Sequence, residues 1–352
     1  MMRRSTAGKI AWIFWRCFLS FALFGASSGG AQSLATHRSP SKSEEIPTQS
    51  QADLDASVRN ALARPSGDDS TASFKGGGRV QANSDALPIS AANKLIVELL
   101  DKMPVGGEYR VSSDSIQKLE YAIEKEGDHL SIDAGVAKPS FCSSATYLVF
   151  VSALEELDRR GQIHFEPGIA EKLLVSGQHD GVGVWGRWNA NGPGTARLFK
   201  ELHLGHNFTS IEQAQPGDFL KIFWNDQIGA KEFGHSVVYL WHGPNREGVE
   251  VVRYWSSNKK GGYGRAEVPR SKINQMLFSR LDHPEQINQI GNGLKPDKYL
   301  ESMLIRGSTP EEMKKMVGIP TSALADPIPA ANVGKETKRD GTDVKVGGKR
   351  QE

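Results

Sequence analysis

Between residues 89 and 306 the apolar positions fall first at helical and then at strand spacing. Leu95, Ile96, Leu99 and Leu100 share one face of a helix predicted over 91–103. Ile116, Leu119, Ala122 and Ile123 do the same over 114–125, behind a possible Ser113 cap. A longer helix is predicted over 142–160, with Leu148, Val151, Leu154 and Leu157 facing inward and Gly161 just past its end. The period then changes. The stretches 218–224, 235–241 and 249–255 are short, apolar and rich in β-formers. Gly243, Pro244 and Asn245 separate the last two and predict an antiparallel hairpin. Helices followed by a run of antiparallel strands predict an α+β fold.

Outside this span the pattern fails. Residues 32–88 are rich in Ser, Ala, Gln, Asp, Gly and Pro, too poor in large apolar side chains to fold, and read as a disordered linker. Residues 307–352 read as a charged, disordered tail. Residues 1–31 have the make-up of an export signal: Arg3, Arg4 and Lys9, then an apolar run over 10–24, then small residues up to Ala31. Arg16 interrupts the run, so cleavage near Ala31 is expected and no stable membrane insertion thereafter. The protein is expected to be secreted or periplasmic.

Charge adds an exclusion. The leader carries Arg3, Arg4, Lys9 and Arg16 and no acid, so its loss turns the formal net charge of +2 into −2. A near-neutral exported chain has no electrostatic footprint for nucleic acid. No metal-ligand spacing convinces, because His203 and His206 lack an acidic or cysteine partner, and no cofactor motif is present.

The cysteines change the picture most. There are two, and Cys17 leaves with the leader, so the mature chain holds Cys142 alone. A lone thiol outside the cytoplasm is a candidate reactive group. Pro139 stops any upstream helix and Ser140 can cap the next, which puts Cys142 in the first turn. There the helix dipole and free N–H groups favour a thiolate. Among the histidines, His235 differs by opening a strand, a rigid mount from which an imidazole can be aimed as general base. A hairpin turn centred near Asn245 sets His235 opposite Trp255, so Tyr254 to Asn258 pass beside it. Asn258 is the favoured residue to orient the imidazole, and Ser256 is the rival on the same face. Cys142, His235 and Asn258 are therefore the expected catalytic set.

In this order, three pieces resemble the papain-like NlpC/P60 and CHAP cell-wall hydrolases: Phe141-Cys142-Ser143-Ser144, then Pro216-Gly217-Asp218-Phe219, then Gly234-His235-Ser236-Val237. The chain departs from the NlpC/P60 pattern in having Phe141 where Asp usually precedes the cysteine. The resemblance implies a papain-like fold with the nucleophile helix packed on an antiparallel sheet. It also implies hydrolysis of peptide or amide bonds, with peptidoglycan or a peptide as substrate. An acyltransferase or esterase would look identical at Cys142 and His235, and a non-catalytic wall-binding protein could keep the same fold. Finally, Trp185, Trp188 and Asn189 lie in a glycine-rich stretch that suits a substrate groove, one Trp anchoring the loop and the other facing the ligand. The competing reading of that stretch is a structural loop.

Overall fold

A computed structural model describes residues 89–320. The expected leader, the linker over 32–88 and the tail from 321 onward lie outside the described residues.

Helix α1 (Ala91–Leu100) begins at Ser90, whose side chain accepts from the Asn93 N–H. Helix α2 (Ser113–Ala122) is capped by Ser112 and not by Ser113. Its predicted last turn is a strand instead: β1 (Ile123–Glu126) pairs antiparallel with β2 (His129–Ile132). The long helix α3 (Cys142–Arg159) ends as expected, with Gly161 at positive φ. It is buried on all sides from Ser143 to Leu154, so it is the central rod of the molecule and not an amphipathic surface helix. Short helices α4 (Gly183–Trp188) and α5 (Gly194–Glu201) follow.

The strands β3 (Gly205–Phe208), β4 (Phe219–Phe223), β5 (Gly234–Pro244), β6 (Glu250–Asn258), β7 (Gly262–Pro269) and β8 (Gln275–Leu281) form one sheet. Their order is β3-β8-β4-β5-β6-β7, with every pair antiparallel. The fold is α+β. One face of the sheet, with Phe219, Val238, Leu240 and Trp255, packs against α3 and the other helices. The opposite face gathers Phe208, Leu220, Ile222, Val237, Tyr239, Val252, Tyr254 and Phe278 into a second core, joined by Ile211 and Ile273 from the connections.

Asp218 ties these layers together. Its carboxylate accepts from Arg280 Nε (2.8 Å) and Nη2 (2.7 Å), from Asn93 Nδ2 (2.7 Å) and from the Gln215 N–H (2.7 Å). Gly217 before it has φ +96, and a Cβ there would lie 2.5 Å from the Asn93 carbonyl oxygen. The Pro-Gly-Asp turn is thus a joint between α1, β4 and β8.

The boundary expected at 306 is corrected. Helix α6 (Pro310–Met316) is capped by Thr309 and buries Met313, with Val317 just beyond it, against Ala196, Phe223, Ile228 and Leu277. Its four lysines and glutamates hid an apolar pair spaced one turn apart.

Candidate functional site

The segment leading into α3 is sewn down on both sides. Ser140 exchanges backbone hydrogen bonds with Glu108 and Arg110, and its hydroxyl donates to Ser257 Oγ on β6 (2.8 Å). Ser140 therefore does not cap the helix. Phe141 is the N-cap residue, and Ser144 Oγ accepts from its N–H (2.9 Å) and donates to its carbonyl (2.7 Å). Phe141 itself is buried, its ring edge-on to Trp185 with centroids 6.4 Å apart. Cys142 is consequently the first helical residue, half-buried and unpaired in any disulfide.

Four groups reach the sulfur. Burial alone pushes the thiol up. The hydrogen bond and charge of His235, the backbone N–H of Ser236 and the charge of Lys221 outweigh it and bring the thiol down to about 6. The Tyr109 hydroxyl also donates to Cys142 Sγ over 3.9 Å. Burial first, and then the neighbouring sulfur, hold that phenol well above its ordinary range.

His235 is buried at the start of β5, its ring stacked near Trp224 (6.4 Å) and edge-on to Tyr254 (5.6 Å). The hairpin register differs from the expected one. Trp255 pairs with Val238, not His235, because the turn lies further along the chain; a bulge between Tyr239 and Trp241 takes back one residue of that shift. Continued to the strand end, the observed register sets His235 opposite Asn258. His235 Nε2 and Asn258 Oδ1 are 3.2 Å apart. The amide cannot turn round freely, because Asn258 Nδ2 donates to the carbonyls of Ser256 (3.2 Å) and Gly264 (3.0 Å). Its oxygen therefore faces the imidazole, Nε2 carries the proton, and Nδ1 is left as the basic nitrogen. Ser256 is fully buried and its hydroxyl donates to the Ser236 carbonyl (2.7 Å), away from the imidazole.

The groove assigned to Trp185 and Trp188 is not there. The two are 1% and 2% exposed, in a helix and not in a loop, so neither ring can face a ligand. Trp188 stacks on Phe150 (4.6 Å), meets Phe219 edge-on (5.0 Å) and donates from Nε1 to Thr146 Oγ1 (3.1 Å). The glycines serve packing: a Cβ at Gly186 would lie 2.2 Å from the His179 carbonyl oxygen. Asn189 is half-buried at the end of α4, and its Oδ1 accepts from Ser143 in the first turn of α3 (2.6 Å).

Sequence reasoning missed Tyr109, Lys221, Glu232 and Asp180. Lys221 offered one signal, a single cation inside the apolar stretch Phe-Leu-Lys-Ile-Phe. Asp180, in the loop before α4, is pushed up to about 6 by burial, against the Asn191 N–H and Lys221. Among the described residues no group of three or more His, Cys, Asp or Glu could hold a metal ion, and no helix is long and apolar enough to cross a membrane. No protein-family model, curated protein or solved structure matches the chain.

Proposed function

We propose that the protein is an exported, papain-like cysteine hydrolase of NlpC/P60 or CHAP type that cleaves amide or peptide bonds, with peptidoglycan peptides as its substrate class. One observation carries this reading: a half-buried thiol begins a helix beside an imidazole that lowers it, and that imidazole's Nε2 lies 3.2 Å from an amide oxygen. That is the arrangement acyl transfer to sulfur needs.

The Cys142 thiolate attacks the substrate carbonyl carbon, and the carbonyl π pair moves to oxygen. The N–H groups of the first turn of α3, which have no carbonyl one turn back, and the Tyr109 hydroxyl are the donors at hand for that oxyanion. As the C–N bond breaks, the imidazolium of His235 gives its proton to the leaving amine. Neutral His235 then takes a proton from water, the water oxygen bonds the acyl carbon, and the C–S bond breaks with its electron pair returning to sulfur. Asn258 holds the imidazole at Nε2 throughout, so Nδ1 is the nitrogen that carries the moving proton.

Mass spectrometry of purified peptidoglycan digested with wild type and with Cys142→Ala tests the reading. New amine and carboxyl ends with wild type alone support it. Transfer to an added amine or alcohol in place of water identifies an acyltransferase on the same scaffold. An equally active Cys142→Ala protein ends the proposal.

A further inference from the structure

Lys221 is a buried cation that the reaction above does not use. Its side chain is 16% exposed and that of its partner Glu232 6%, with Nζ 2.7 Å from Glu232 Oε1. Glu232 is fixed in turn, since Oε2 accepts from the N–H groups of Gly192 (2.6 Å) and Gly229 (2.8 Å). Removing two charges from water is costly, and a methionine and leucine could fill the same space without that cost. A structural role alone does not call for an ion pair here.

Its location does. Lys221 on β4 pairs across the sheet with Ser236, the residue that follows His235. The lysine chain runs along β5 toward Gly234: a Cβ on that glycine would lie 2.9 Å from Lys221 Cε and 3.1 Å from Nζ. The ammonium thus sits beside the residue that precedes His235, and any side chain at 234 would displace it.

We propose that Lys221 is a positioning residue for the nucleophile: clamped by Glu232, its ammonium is a second fixed cation that holds the Cys142 sulfur as thiolate when the His235 imidazole is neutral. The need arises in the free enzyme once His235 has lost its proton to solvent, because the ammonium is then the counter-charge left for the sulfur. The charged and titratable groups around the pair are accounted for. His235, Tyr109 and Tyr254 face the sulfur, and Glu232, Asp180 and Cys142 face the ammonium. Burial pulls the ammonium down, but Glu232, Cys142 and Asp180 together leave it raised, so it stays charged wherever the thiol titrates. The proposal rests on Cys142 being the nucleophile and His235 its base.

The test is the pH dependence of iodoacetamide alkylation at Cys142 in the full chain, with the modified residue located by mass spectrometry. Wild type should react half-maximally near pH 6, since the thiol is brought to about 6. Lys221→Met should move that midpoint up by about one pH unit, the shift a neighbouring opposite charge gives. Lys221→Arg should restore it. His235→Ala should raise the midpoint too, and adding Lys221→Met should raise it further. Where Lys221→Met leaves Glu232 unpaired and fails to fold, the double variant Lys221→Met/Glu232→Leu, checked by thermal melt, replaces it. A folded double variant with the wild-type profile overturns the role of Lys221 while leaving the Cys142–His235 pair intact. A wild-type thiol that titrates in the ordinary cysteine range, unmoved by His235→Ala, overturns the pair itself and this proposal with it.

Discussion

At the scale of single residues, the site is an argument about where protons sit. The Cys142 thiol, brought down to about 6, is mostly thiolate at neutral pH and protonated in acid, so hydrolysis should fall as pH drops through about 6. His235→Ala should lower kcat by about 10²–10⁴-fold, the usual contribution of a general acid–base residue. A kcat–pH profile of both proteins checks the two statements together. Asp180 gives a stability prediction of definite sign. Burial raises its carboxyl from an ordinary 3.8 to about 6. Below both values the group is protonated, folded or unfolded, and costs nothing. Above about 6 it is ionised in both states, and the folded state bears the penalty. Asp180→Asn should therefore gain stability relative to wild type as pH rises from about 4 to about 6, with the gain constant above that, in thermal melts across pH. Cys142 and His235 stood out as candidates in the sequence because each is unusual alone: the one cysteine outside the expected leader, and a histidine opening an apolar strand. Asn258 was separable from Ser256 only through geometry, since one bulged residue in β5 decides what lies opposite His235.

At the scale of elements, the same glycine-rich stretch that suggested a groove makes a buried helix. The glycines pointed to a groove or a loop, whereas Gly186 and Gly194 let backbones approach to distances that no Cβ permits. Trp185→Ala and Trp188→Ala should each cost about 3–5 kcal/mol in denaturant melts, as for other buried aromatics. Neither should show a selective loss of substrate binding at temperatures where the protein is folded. Helix α6 makes a parallel case at the other end. Met313→Ala should cost about 2–5 kcal/mol, and a chain ending at 306 should melt lower than one ending at 319, because Phe223 and Leu277 lose their cover. Within the six-stranded sheet, periodicity did not reveal β3, β7 and β8. β3 is only four residues long. β7 begins Gly-Tyr-Gly-Arg. β8 carries Ser279 and Arg280, polar but buried because Asn207 and Asp218 receive them. Satisfied polar groups inside a sheet look like surface in a one-dimensional pattern.

At the scale of the whole molecule, the α+β class followed from the order of elements, and the six-stranded sheet with its strand order followed from nothing local. Its second core collects side chains from β3 through β8, whose pairings join distant parts of the chain. The site inherits that character. Tyr109 comes from the segment between α1 and α2, Cys142 from the central helix, Lys221 and His235 from neighbouring strands, and Asn258 from a third. None of these groups can act on the thiol until helix and sheet have docked. Time order in folding follows from this separation. Local helix forms early, and contacts between residues far apart in sequence form late. During refolding from denaturant, the helical circular dichroism of α3 should return before the fast alkylation of Cys142 at pH 7. The protein would then be compact and helical for an interval in which Cys142 is as sluggish as free cysteine, and the proposed hydrolysis would switch on with the last step of assembly.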